Sequence, residues 1–243
     1  IGLCLVGSEM CIRDRIIRLR GAHNAVPAGF GQMRIDLEEY LQERFSCPAG
    51  ETCVALFEGG TYSYPFKLHA MRNLLGHVLR DRATAQHVEV CEVGFNAGHS
   101  TLLWLMADPR VRVRAFDLGV HWYSPHVTGF FDAAFDAGRV EVVFGDSQQT
   151  LPAFAAAFNS SSPPEFCDLI FVDGDHHFDA ALSDLRKLRA AARPGHHVLL
   201  MDDPDHDEVG RAWRTMLADG VEHFGDVYAV SYTHLTLPTN CVV

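Results

Sequence analysis

Val88-Glu89-Val90-Cys91-Glu92-Val93-Gly94-Phe95-Asn96-Ala97-Gly98-His99-Ser100 is the stretch on which the reading of the fold turns. Val88, Val90 and their neighbours make a short buried strand; a glycine-bearing turn follows, and the apolar run Thr101 to Met106 enters a helix. Gly94 and Gly98 let the backbone approach a ligand where a side chain would intrude. The free N–H groups at the start of the helix favour a polar or anionic group. The spacing is not G-x-G-x-x-G, which needs glycine in place of Asn96 and again past Gly98. Taken alone, the stretch fits either a ligand-binding turn or any βα corner.

Outward from this unit the pattern is strand, helix, strand, helix, which predicts a parallel sheet covered on both faces. Strands are expected at Val88–Val93, Val111–Asp117, Val140–Phe144, Cys167–Val172, His197–Met201 and Val221–Ala229. Helices are expected between them, over Val127–Ala137, Leu151–Phe158, Asp179–Ala192 and Glu208–Leu217. Upstream, Ile35–Phe45 reads as an amphipathic helix with Ile35, Leu37, Tyr40, Leu41 and Phe45 as its apolar members. Phe66–Arg80 is a second, with Leu68, Met71, Leu74, Leu75, Val78 and Leu79 at helical spacing. This N-terminal part is either a helical pad on one sheet face or a lid with Tyr62 and Tyr64 at its rim.

The 243 residues are 48% hydrophobic, enough for one core with a small helical cap. A formal net charge of −11 argues against nucleic-acid or membrane-surface partners, which need a basic footprint, and for a small or neutral substrate. No apolar run reaches membrane-spanning length. Cys91 and Cys167 fall in predicted core strands and are expected to be inert thiols. Cys47 and Cys53 flank a short loop and would pair in a secreted protein; a reduced loop, and with it a cytoplasmic setting, is the expectation.

Ligands of an open parallel sheet bind at the carboxyl ends of its strands, and here those ends are acidic. They read Glu92 with Gly94, Phe116-Asp117-Leu118-Gly119, Gly145-Asp146-Ser147, Asp173-Gly174-Asp175-His176-His177 and Asp202-Asp203. One acid is readily a helix cap; five strands all ending in acids point to a ligand. The motif E-x-G-x-x-x-G at Glu92–Gly98 resembles motif I of the class I S-adenosylmethionine (SAM) methyltransferases. Together with Asp168-Leu169-Ile170-Phe171-Val172-Asp173-Gly174-Asp175-His176, the set resembles the family that includes macrocin-type sugar O-methyltransferases and, more distantly, the metal-dependent catechol type.

That resemblance covers Val88 to about Trp213 and implies an α/β, Rossmann-like, doubly wound, mostly parallel sheet of order 3-2-1-4-5-7-6, here without strand seven, plus the helical cap. It implies SAM held by Glu92, Gly94, Asn96, Gly98, His99, Ser100, Asp117, Leu118, Asp146, Ser147 and Asp173. Asp117 would accept the ribose hydroxyls and Asp146 the adenine amino group. His121, Trp122 and Tyr123 would stack near the adenine. A divalent metal, Mg²⁺ by its preference for hard oxygen donors, would rest on Asp173, Asp202 and Asp203. An acceptor hydroxyl on such an ion becomes more acidic. Asp202 and Asp203 are otherwise caps of the next helix. His176 is either the general base, since imidazole titrates near neutrality, or a packing histidine. His196 and His197 are expected to be structural. The implied activity is methyl transfer to a small hydroxylated acceptor; a SAM-binding module without catalysis and a nicotinamide oxidoreductase are the alternatives.

Both ends of the chain resemble translated sequencing-adapter sequence. Met10–Asp14 can be encoded ATG TGT ATA AGA GAC, whose reverse complement, GTC TCT TAT ACA CAT, encodes Val230–His234. Residues 1–15 and 230–243 are therefore expected to be non-native tails. A cap would span residues 16–84 and a C-terminally truncated methyltransferase domain residues 85–229.

Overall fold

The computed structural model describes residues 29–44, 65–160, 165–195, 197–219 and 227–230. Tyr62, Tyr64, Cys47, Cys53, His196 and both tails but for Val230 lie outside them.

Two helices precede the sheet, α1 (Phe30–Arg44) and α2 (Pro65–Asp81). The alternating part follows as β1 (Val88–Val93), α3 (His99–Ala107), β2 (Val111–Asp117), α4 (Ser124–Ala134), β3 (Val140–Phe144) and α5 (Ser147–Ser160). It continues with β4 (Leu169–Val172), α6 (Phe178–Ala190), β5 (Val198–Asp202), α7 (Asp207–Ala218) and β6 (Val227–Val230). The first three strands coincide with the sequence-based spans. β4 begins at Leu169 rather than Cys167, which makes only an isolated bridge to Ala192.

The strands form one sheet of order β3-β2-β1-β4-β5-β6, every described pairing parallel. β1 is central and buried throughout its length, as a strand covered on both faces must be. β6 lies directly against β5, with Leu199 opposite Val227 and Asp202 opposite Val230. It takes the place where the expected order sets strand seven, and it uses Val230, which the sequence reading assigns to a tail.

Val88, Val90, Val111, Val113, Leu169, Phe171, Val198 and Leu200 pack on one face against α1 to α4. Cys91, Val93, Phe116, Ile170, Val172, Leu199 and Met201 pack on the other against α5 to α7. Leu37 and Leu41 are fully buried and Tyr40 meets Phe130 edge to face at 5.7 Å, so α1 is part of the core. Ile35, expected on its apolar face, is 37% exposed.

One expectation is corrected. Cys91 and Cys167 are not thiols but are joined by a disulfide, Cα to Cα 5.7 Å, with both residues fully buried. Cys91 on β1 and Cys167, two residues before β4, both pack on the face covered by α5 to α7, which the linear spacing of 76 residues conceals. His197, expected to be structural, is buried at 2.9 Å from the carbonyl of Arg193. No helix among the described residues is long and apolar enough to cross a membrane.

Candidate cofactor and catalytic site

The carboxyl ends of β1 to β5 open on a cleft of about 960 Å³. Its wall includes Gly94, Asn96, His99, Ser100, Asp117, Leu118, Asp146, Ser147, Asp173, His176, Asp202 and Asp203, so most of the residues singled out from the sequence meet in one place. Glu92 and Gly98 stand behind that wall.

Glu92 is fully buried and receives hydrogen bonds from Thr101 Oγ1 and, at 2.9 Å, from Trp104 Nε1. It therefore ties α3 to β1 below the turn instead of facing the cleft. Burial pushes its carboxyl up to about 7, against the opposing pull of these donors. The two glycines also serve the protein's own packing. A Cβ on Gly94, at φ 96°, would stand 1.8 Å from the carbonyl oxygen of Asp173; one on Gly98, at φ 78°, would stand 2.6 Å from the Phe131 ring. Bare backbone at Gly94 is what lets the loop after β4 cross the turn. His99 opens α3, is buried, and lies 3.4 Å from Glu38 on α1, so the pad reaches the cleft.

Asp117 organises the middle of the cleft. Its Oδ2 accepts the backbone N–H of Asn96 at 2.8 Å and its Oδ1 that of Gly119 at 2.7 Å, which leaves further lone pairs on both oxygens. Asn96, itself at φ 50°, accepts a hydrogen bond from Tyr123 at 2.6 Å. Tyr123 is thus buried structure, stacked on His121 at 5.3 Å; of the three expected adenine neighbours only His121 lines the cleft, joined there by Val120. Asp146 is exposed, caps α5 by accepting the Gln148 N–H at 2.8 Å, and still borders the cleft.

At the other end, Asp202 is buried and Asp173 partly so. Lys67 on α2 donates to Asp202 Oδ2, while Asp202 Oδ1 is buried with no donor. Burial, then the neighbouring Asp173 carboxylate, push Asp202 up to about 7, and burial raises Asp173 as well. The two carboxyls hydrogen-bond each other only when one of them is protonated. Asp203 turns elsewhere: at φ 47°, its Oδ2 lies 3.7 Å from His176 Nε2. Among the described residues no three His, Cys, Asp or Glu side chains converge as a metal site, so the expected trio arrives as a pair plus one. His177 is exposed and bonded to Asp175 at 2.5 Å, away from this pair.

The sequence reading missed Lys67, Asp184 and Glu38. Asp184, on α6, lines the cleft, and burial raises its carboxyl to about 6. Each of the three sits on the buried stripe of its helix: Lys67 with Met71, Leu74 and Val78, Glu38 with Leu37 and Leu41, Asp184 with Ala181, Leu185 and Leu188. A charge at an apolar helical position was the available signal.

The methyltransferase-domain family matches residues 91–204, from within β1 to just past β5. Comparison with the curated proteins finds no match. Among solved structures, cofactor-bound Rv0187 from MTB is 22% identical with a TM-score of 0.50, over 79% of this chain and 78% of that one. The O-methyltransferase from Bacillus cereus in complex with SAH is 16% identical with a TM-score of 0.52, over 76% and 86%. MycE methyltransferase from the mycinamycin biosynthetic pathway, in complex with Mg and SAH, is 21% identical with a TM-score of 0.43, over 77% and 44%; the chain thus spans less than half of MycE. At such identities the likeness to solved structures is one of fold. The family match runs across the glycine turn and all five acidic strand ends, Glu92 to Asp203. The chain thus has a Rossmann-like methyltransferase fold, and residues 91–204 of it match the methyltransferase-domain family.

Proposed function

We propose that this chain transfers a methyl group from SAM to a hydroxyl of a small acceptor. The observation that carries the reading is the single cleft in which Asp117 and Asp146 stand at one end and Asp173, His176, Asp202 and Asp203 at the other, with the Gly94 turn between them. SAM supplies a methyl group made electrophilic by the sulfonium. Asp117 offers carboxylate lone pairs for vicinal hydroxyls, Asp146 accepts an amino group, and the start of α3 at His99 and Ser100 presents backbone N–H groups to a carboxylate. His176 Nε2 accepts the acceptor's hydroxyl proton, and Asp203 at 3.7 Å balances the imidazolium so formed. The acceptor oxygen then bonds to the methyl carbon as the carbon–sulfur bond breaks, and the sulfur leaves neutral.

A divalent cation belongs to the same reading. Two hard carboxylates side by side, one with a buried oxygen that has no donor, suit such an ion. Asp173 and Asp202 would hold it, with Asp203 adjacent, and it would make a neighbouring acceptor hydroxyl more acidic.

Calorimetric titration separates this reading from its rivals: SAM binds, NAD does not, and Asp117→Ala weakens SAM by at least about tenfold, or about 1.4 kcal/mol. Methyl-labelled SAM with a panel of phenols and sugars then reads turnover. His176→Ala is expected to lower kcat by about 10²–10⁴-fold with SAM affinity unchanged. SAM affinity equal in wild type and Asp117→Ala would defeat the cleft assignment, and full turnover by His176→Ala would defeat the proton path.

A further inference from the structure

The acid pair already has a cation, and the chain supplies it. Lys67 enters from the first turn of α2, not from the sheet that carries the acids. Its side chain and that of Asp202 are each 5% exposed, and its ammonium lies 6.0 Å from the centre of the Phe171 ring below. The position belongs to the apolar stripe of α2, where a leucine or methionine would pack without the loss of solvation that a charge suffers. The ammonium lies on Oδ2 of Asp202, while Oδ1 of the same carboxylate stays buried without a donor. One carboxylate therefore has one edge neutralised and one edge open, with Asp173 beside it.

Taking that pair as the metal position in the reading above, we propose that Lys67 is a resident counter-cation that competes with a divalent ion for Asp202 and so sets how tightly the ion is held. An ion seated on Asp202 lies within a few ångströms of the ammonium in a site largely withdrawn from water, where like charges are poorly screened. Binding then requires either that Lys67 swing off Oδ2 or that the ion tolerate it. With Lys67 in place the acids are already balanced in part, so the folded site does not depend on the ion. Lys67 shares α2 with the buried Leu68, Met71, Leu74 and Leu75, so the helix that carries the counter-cation is anchored in the core.

Mn²⁺ binding to the full chain with SAM present, read by the loss of the free-ion electron paramagnetic resonance signal, tests this without any turnover. Lys67→Met is expected to bind Mn²⁺ at least about tenfold more tightly than wild type, and Lys67→Arg, which keeps the charge, to stay near wild type. Adding Asp202→Asn to Lys67→Met is expected to remove the gain. Should Lys67→Met fail to fold, Lys67→Gln carries the same comparison with a neutral group that still bonds Asp202. Equal Mn²⁺ affinity in wild type and the neutral variants overturns the competition while leaving the metal reading intact. No Mn²⁺ binding by any of them, with SAM still bound, overturns both.

Discussion

Glu92 shows how one side chain divides the labour of a motif. Its position before the glycine turn marks a family, yet in space it fastens α3 to the sheet and leaves the cleft to Asp117 and Asp146. Its carboxyl is held at about 7 in the fold against an ordinary 4.5, so the neutral form favours the native state. That contribution is complete below pH 4.5 and is lost as the pH rises through about 7. Glu92→Gln is neutral at every pH and should flatten the fall, by on the order of 3 kcal/mol between the two ends of that window. Denaturant unfolding at a series of pH values reads it. The slope is the measure, because glutamine offers one acceptor oxygen to two donors and shifts the absolute stability as well. Parallel profiles for the two proteins would mean that the fold does not raise the Glu92 carboxyl.

At the scale of elements, two helices show how packing overrides local expectation. α5 runs from Ser147 to Ser160 with Pro152 inside it, where the sequence reading begins the helix only at Leu151. Proline has no N–H for the carbonyl four residues back, and that carbonyl, on Gln148, instead accepts Lys187 Nζ of α6 at 3.2 Å. A neighbouring helix thus repairs what the chain alone leaves open. α1 raises the question of pad against lid. As a pad it carries core, and Leu41→Ala should then cost about 2–5 kcal/mol in denaturant unfolding. A lid would lose acceptor affinity with stability unchanged, and that outcome would detach α1 from the core. The alternation of strand and helix was legible because each of the first five strands is a short, largely apolar stretch ended by glycine or acid. The charged members of α1, α2 and α6 were not, because helical spacing marks a buried stripe without showing what the charge on it meets.

For the molecule as a whole, the disulfide and the sheet order are the tertiary facts with the widest consequences. Cys91–Cys167 closes a long loop across the middle of the sheet, and such a link stabilises by roughly 2–4 kcal/mol. Unfolding under a reducing agent should therefore have a lower denaturant midpoint than under oxidising conditions, and the Cys91→Ala, Cys167→Ala protein should show no such difference. An unchanged midpoint on reduction of wild type would mean the bond adds nothing to the folded state. The placement of β6 directly on β5 follows from the same level: a strand edge offers unpaired N–H and C=O groups to whichever segment reaches it, and composition does not say which. What the sequence by itself determined was a parallel sheet with its acids at one rim, since strand periodicity and the residues that end each strand are local properties. Which acids face the cleft, which two cysteines meet, and the lysine set against Asp202 were decided only in three dimensions, because burial and pairing depend on distances between segments that the linear order does not contain.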